Sequence, residues 1–241
     1  MTVRSSATFV SRLVSGQSEE QWLTGWGIIR PMKYLVIPVT PFQQNCTLLW
    51  SEETRAATLI DPGGDEERLL AAVAERGLTL VSLLLTHGHL DHVGAAGTLA
   101  ARLNIPIEGP HRADEYWLAE LPQQCAMWGF PPTAAFTPDR WLAHGDRVTV
   151  GNQTLEVLHC PGHTPGHVVF YHAVARVAFV GDVLFQGSIG RTDFPGGSLD
   201  ALLSSIRERL WPLGDDVTFI PGHGPASTFG AERRSNPYVG D

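Results

Sequence analysis

The sequence predicts an α/β protein built in layers, with helices outside two packed sheets. Three observations carry that expectation. Strand-like and helix-like stretches follow in the order strands, helix, strand, helix, then strands, helix, strand. The two halves echo each other, each a β-rich block followed by a helix and a strand, without a residue-level repeat. The stretch "LTLVSLLLT" (78–86) is a continuous apolar run of the kind a strand buried on both faces requires.

Taken in order, "YLVIPV" (34–39) and "CTLLWS" (46–51) are rich in β-branched and aromatic residues and flank a Pro-containing turn. "AATLIDPGG" reads as a strand ending in a sharp turn at Asp61. "DEERLLAAVAERG" has helical spacing, acids in its first turn and Gly77 as a stop. After the apolar run, "DHVGAAGTLAARLN" (91–104) is a helix and "IPIEG" a short strand. "ADEYWLAEL" is a helix, and "PQQCAMWGFPPTAAFTPDR" (122–140) a long loop. A meander follows in "RVTV", "TLEVLHC", "HVVFYHA" and "RVAFVGDVLF". "SLDALLSSIRERL" is an amphipathic helix, and "VTFIPGHG" a last strand.

Composition narrows the function classes. The 241 residues are 43% hydrophobic and 17% charged, which suits an ordinary globular core. No run approaches the roughly 18 consecutive apolar residues of a membrane span, so no membrane partner is expected. A net charge of −8 with a single lysine, Lys33, gives no broad footprint for nucleic acid. Any anionic substrate must be held by arginine, metal or backbone amides. Cys46, Cys125 and Cys160 are odd in number and irregularly spaced, which points to buried thiols in a reducing, cytoplasmic compartment. The first 31 residues lack a secretory pattern, and strand character begins after Met32. Residues 1–31 are expected to be an extension without a catalytic role. Met32 as the natural start is a hypothesis that N-terminal sequencing giving Met1 or Thr2 would overturn.

Ligand-type residues recur in one context, just past an apolar strand and next to glycine. His87, His89, Asp91 and His92 follow "LVSLLLT"; His163, Asp182 and His223 follow three later strands. Seven such residues are too many for one catalytic ion, which usually takes three protein ligands and a water. They divide as three, three and a shared carboxylate, with Asp182 the sensible bridge. Imidazole and carboxylate without thiolate suit zinc, or iron or manganese. A metal pair would ionise water near neutral pH and polarise a carbonyl. Of the other histidines, His111 and His144 are expected to be exposed. His159, His167 and His172 are expected to be structural, with His167 notable for lying four residues after His163.

The motifs "THGHLDH" (86–92), "PGHTPGH" (161–167), "VGDVLF" (180–185) and "IPGHGP" (220–225) resemble, in order and spread over roughly 33–230, those of metallo-β-lactamase-fold hydrolases. "PVTPFQQNC", "GRTDF" and the terminal "NPYVGD" make the chain similar to the short, single-domain glyoxalase II-like proteins of bacteria, the YcbL type. The resemblance implies a four-layer αββα sandwich over residues 32–241. It implies one metal site at His87, His89 and His163, a second at Asp91, His92 and His223, and Asp182 bridging two divalent ions, zinc foremost. It further implies a bridging hydroxide, oriented in part by Asp91, that opens the thioester of S-lactoylglutathione to D-lactate and glutathione. Asp61 in "IDPGG" matches a family aspartate beside the metals, where it would orient a ligand; it also suits the Asp-Pro turn by itself.

One departure bears on substrate holding. Typical glyoxalase II enzymes carry a helical C-terminal domain that supplies basic residues to glutathione, and only 18 residues follow His223 here. Arg191 in "GSIGRTDF" is the candidate anion clamp, with a structural pair to Asp193 or another acid as the other reading. Two further functions stay open at this point. Persulfide dioxygenases share the fold and a similar segment, and hold one iron, here at His87, His163 and Asp182. Lactonase or other hydrolase chemistry would use the same hydroxide. Purely structural metal in a binding protein fits poorly, because structural zinc sites are closed and thiolate-rich.

Overall fold

A computed structural model of the chain describes residues 32–240; the expected extension at 1–31 lies outside the described residues. Strands β1 (Met32–Val39), β2 (Gln44–Ser51), β3 (Ala56–Ile60), β4 (Thr79–Leu84) and β5 (Ile107–Glu108) form one sheet in sequence order. The first three run antiparallel, and β3, β4 and β5 run parallel. The second sheet comprises β6 (Arg147–Val150), β7 (Gln153–His159), β8 (Val168–His172), β9 (Val177–Gly181), β12 (Thr218–Pro221) and β13 (Ser227–Thr228). Its order is β13-β12-β9-β8-β7-β6, antiparallel except for β12 against β9. A small hairpin, β10 (Leu184–Phe185) with β11 (Ser188–Ile189), stands apart.

Three apolar layers show the packing. Met32, Leu49, Ile60 and Leu84 of the first sheet meet Val148, Val157, Phe170 and Phe179 of the second, and this is the seam between the sheets. The opposite face of the first sheet, with Leu48, Leu59 and Leu83, packs on α1 (Glu66–Glu75), α3 (Ala96–Leu103) and α5 (Leu121–Trp128) through Leu69, Leu99 and Cys125. The outer face of the second sheet, with Val169, Val180 and Phe219, packs on α6 (Leu199–Ser205) and α7 (Phe229–Ser235) through Leu202 and Phe229. Helix, sheet, sheet, helix is therefore the layer order that the sequence leads one to expect. Burying a Leu or Phe fully contributes about 1.5–3 kcal/mol, so each seam outweighs any local propensity. Leu84 is buried because it faces the second sheet and Leu83 because it faces helices, which is why this strand reads as an unbroken apolar run.

Several local expectations needed correction. Residues 122–140 are not one long loop, because Leu121–Trp128 is helical. Pro122 sits in the first turn, where its missing N–H costs nothing, and Gly129 ends the helix at φ 69°. The helix expected over 91–104 is two, α2 (Leu90–Val93) and α3, because Ala95 N donates to Pro62 O and draws the chain aside at Gly94. "RVAFVGDVLF" breaks after Gly181, whose φ of 49° turns the chain out of the sheet at Asp182. The helix after Ser198 is capped by that serine's hydroxyl and finishes as a π-helical turn over Ile206–Leu210. Among the described residues no helix is long and apolar enough to cross a membrane.

Candidate metal centre

The strands β3, β4, β7, β9 and β12 all point one way, so the loops leaving them crowd one edge of the sandwich. Val168 N to Thr86 O at 2.8 Å and Asn45 N to Gly222 O at 2.7 Å tie the two sheets together there. Asp61, the 86–92 loop, His163, Asp182 and His223 all lie on this edge, and the structure brings all seven predicted ligand residues together.

His87 Nε2 and His163 Nε2 lie 3.1 and 3.0 Å from His89 Nδ1. His223 Nε2 lies 3.1 Å, and His92 Nε2 3.7 Å, from Asp91 Oδ2. Asp182 stands between the two groups. Its Oδ1 is 3.4 Å from His92 Nε2, and its Oδ2 is 3.6 Å from His163 Nε2 and 3.8 Å from His223 Nε2. Room for this approach comes from Gly222, where a Cβ would sit 2.1 Å from Asp182 Oδ1.

The outward-facing nitrogens decide what points inward. His163 Nδ1 meets the Arg191 carbonyl at 2.8 Å, His223 Nδ1 the Phe42 carbonyl at 3.2 Å, and His92 Nδ1 the Asp61 carboxylate at 2.9 Å. All three acceptors require an N–H. His87 Nδ1 meets Thr86 Oγ1 at 3.0 Å, and that hydroxyl donates to Asp61 Oδ2 at 2.6 Å, so it accepts from the ring. Each of these four rings therefore commits Nδ1 outward and turns Nε2 inward, toward another ring or toward a carboxylate oxygen. Nitrogen and carboxylate donors gathered this closely could hold a cation. His92 Nε2 and Asp182 Oδ1 are buried without a protein hydrogen-bond partner, which fits the same reading.

Electrostatics divide the two trios: burial acts against charge on His92 and His223, but Asp91 and Asp182 outweigh it and raise both above the ordinary histidine value, His92 strongly. Burial, reinforced by His163, pushes His89 down to about 3, and burial also pushes His87 and His163 below the ordinary histidine value. Neutral imidazole is the form that ligates metal. Burial acts against ionised Asp182, but His92, His163 and His223 overcome it and hold the carboxyl well below the usual range. Two trios of donor atoms therefore form, His87, His89 and His163, and Asp91, His92 and His223. A third grouping, Asp61 with His87 and His92, is a supporting layer, because Asp61 already accepts from Thr86 N at 2.7 Å, from Thr86 Oγ1 and from His92.

The sequence profile of the Metallo-beta-lactamase superfamily matches residues 39–223. The chain belongs to the metallo-beta-lactamase superfamily. Its relatives in this superfamily include the hydroxyacylglutathione hydrolase GloC of Haemophilus influenzae, 51% identical over 209 residues, 86% of this chain and 98% of that one. Solved structures include BLEG-1 B3 metallo-beta-lactamase, with TM-score 0.79, 38% identity and coverage of 86% and 99% of the two chains. TTHA1623 in a di-iron-bound form has TM-score 0.78, 39% identity and coverage of 85% and 100%.

The surroundings of this superfamily edge add residues that the sequence reading missed. Trp117 packs edge-on against His89 at 4.5 Å, and Phe194 lies 4.8 Å from His89 and 5.6 Å from His163. Gln44, opposite His223 in a β-bridge, brings Nε2 to 3.3 Å from His92 Nδ1. Thr86 directly precedes the ligand cluster, which is the one signal that pointed to it. Arg191 is exposed, pairs with Asp193 through two contacts at 2.9 and 2.7 Å, and lies over the Phe194 ring. Asp193 is thus the acid that already holds the predicted clamp.

The remaining histidines divide. His144 is exposed as expected, whereas His111 is half-buried because it stacks on His159 at 4.1 Å. His159 bonds the Pro165 carbonyl, and His172 the Gln153 side chain. His167 stacks on His87 at 4.6 Å and accepts from the Asp182 amide at 3.0 Å, so it braces the centre from beneath. Cys46, Cys125 and Cys160 are buried and unpaired. Burial pushes Cys160 up to about 12, so it is no nucleophile at neutral pH.

Proposed function

We propose that the chain is a metal-dependent thioester hydrolase that acts on hydroxyacylglutathione, with S-lactoylglutathione as the substrate and D-lactate and glutathione as products. The observation that supports this most is the complete pair of donor trios joined by Asp182, in a chain 51% identical to a hydroxyacylglutathione hydrolase.

His87, His89 and His163 would hold one divalent ion, Asp91, His92 and His223 a second, and Asp182 both. Bound there, the ions supply an ionised water near neutral pH and polarise the thioester carbonyl. Zinc is the occupant we favour, since nitrogen and carboxylate donors without thiolate suit it. The chain's own contribution is orientation. Arg191 O, Thr86, Asp61 and Phe42 O fix the ring tautomers, and Asp91 and Asp182 set the negative charge around the attacking oxygen. Trp117 and Phe194 wall one side against bulk water. The departing thiolate is stable at neutral pH, so the residues present need include no general acid. A cytoplasmic setting belongs to the same reading and rests on three unpaired thiols.

The single-iron oxygenase reading is weaker, because Asp91, His92 and His223 already form a full second trio. The deciding experiment is metal analysis of the purified protein, coupled to thioester hydrolysis and to oxygen uptake on glutathione persulfide. Two metals with hydrolysis support our reading; one iron with oxygen uptake overturns it. Asp182→Ala should lower bound metal and abolish hydrolysis, and unchanged turnover would remove Asp182 from the bridging role.

A further inference from the structure

Asp114 lies at the start of α4 (Glu115–Ala119), outside every motif that carries the superfamily resemblance, and its side chain is fully buried. It occupies the N-cap position of that helix, yet its carboxylate makes no capping bond. The carboxylate is used elsewhere. Oδ2 accepts from Gly88 N at 3.0 Å and from Thr164 Oγ1 at 2.8 Å, and Oδ1 accepts from Gly166 N at 2.5 Å. Gly88 separates His87 from His89, and Thr164 follows His163 directly. One carboxylate therefore joins the two loops that together supply the three-histidine trio.

Both glycines are shaped for this contact. A Cβ at Gly166 would lie 2.6 Å from Asp114 Oδ1, and a Cβ at Gly88 would lie 2.6 Å from Trp117 Cβ, one helical turn after Asp114. Among the described residues no basic side chain pairs with Asp114. A buried carboxylate without an ion pair is costly unless its hydrogen bonds give something back. Here they fix a distance, since the 86–92 loop belongs to one sheet and the 160–167 loop to the other. His111 N to Gly166 O, at 3.0 Å, closes the same junction from the main chain.

We propose that Asp114 is a positioning residue for the three-histidine half of the centre, setting how closely His163 approaches His87 and His89. The opposite half, Asp91 with His92 and His223, takes no bond from it. The inference rests on the metal-binding reading of the two trios, and its test separates the two claims.

Zinc affinity is measured by competition with a chromophoric chelator on the full chain in two backgrounds. His223→Ala leaves the three-histidine trio whole, and His163→Ala leaves the other whole. In the first background Asp114→Ala should weaken zinc binding about 10–100-fold, the usual effect of losing a group that orients ligands. Asp114→Asn, which keeps the volume and one acceptor oxygen, should recover part of that loss and covers the case in which the alanine variant fails to fold. In the second background both substitutions should leave the affinity unchanged. Equal weakening in both backgrounds, together with a lower melting temperature of the metal-free protein, would make Asp114 a general structural residue and overturn the proposal. Unchanged affinity in both would overturn it as well. If the unaltered chain takes up no zinc, the metal reading itself fails and this inference falls with it.

Discussion

His92 meets Asp61 through Nδ1 at 2.9 Å and turns Nε2 toward Asp182 at 3.4 Å, so one ring links the Asp61 carboxylate to the carboxylate that stands between the two trios. Asp61 also receives the Thr86 amide and hydroxyl and thereby orients His87 at one remove. Asp61→Ala should weaken metal binding about 10–100-fold, as losses of ligand-orienting carboxylates do. Asp61→Asn should fall between, because it keeps an acceptor and tolerates the φ of 53° at this turn. Chelator competition and thioester turnover, read together, check this; wild-type affinity in Asp61→Ala would reduce the residue to a turn former.

Gly222 is a second point of leverage. A methyl group there would lie 2.1 Å from Asp182 Oδ1 and 2.6 Å from His92 Cε1. Neither side chain has space to retreat, since both are packed among the other ligands. Gly222→Ala should therefore remove hydrolysis and lower metal stoichiometry, while circular dichroism still reports a folded sandwich. A variant with full metal content and normal turnover would show that the centre tolerates displacement of Asp182.

Arg191 has two separable parts. Its carbonyl holds His163, and its guanidinium pairs with Asp193 in the open. Arg191→Ala leaves the carbonyl in place, so kcat should change little while KM for glutathione thioesters rises several-fold. Asp193→Ala frees the guanidinium and should lower KM. If both variants leave KM untouched, anion holding lies elsewhere on the edge.

His172 predicts a pH effect away from the centre. It accepts from Ala175 N through Nδ1 at 3.0 Å and donates to Gln153 Oε1 through Nε2, so the fold uses its neutral form. Burial holds its pKa below the ordinary histidine value. The sign follows: the folded state binds the proton less readily than the unfolded chain, so stability is full above about pH 6.5 and is lost as pH falls below it. His172→Asn should start less stable, yet lose less between pH 7 and pH 5 than the unaltered protein. Parallel melting curves across that range would exclude His172 from the acid response.

Much of this was open to reading in one dimension. Strand ends announce themselves when an apolar run stops at glycine, and His87, His89, Asp91, His92, His163, Asp182 and His223 each stand at such a stop. The alternation of strands and helices was likewise enough for the layered sandwich, because periodicity is a local property. The helix at Leu121–Trp128 was lost to the pull of Pro122 and Gly129, two residues that break helices inside but serve them at the ends.

The ligand types and their context belong to the sequence alone: it determined which side chains meet and, through their nitrogen and carboxylate chemistry, that a cation should sit among them. Tertiary structure alone decided which ring atom points inward, that Asp61 serves His92, that Asp193 already engages Arg191, and that Asp114 spans the two loops. Orientation depends on partners 25 to 52 positions away along the chain for Asp61 and Asp114, and contacts across such separations leave no period or spacing for a sequence to display.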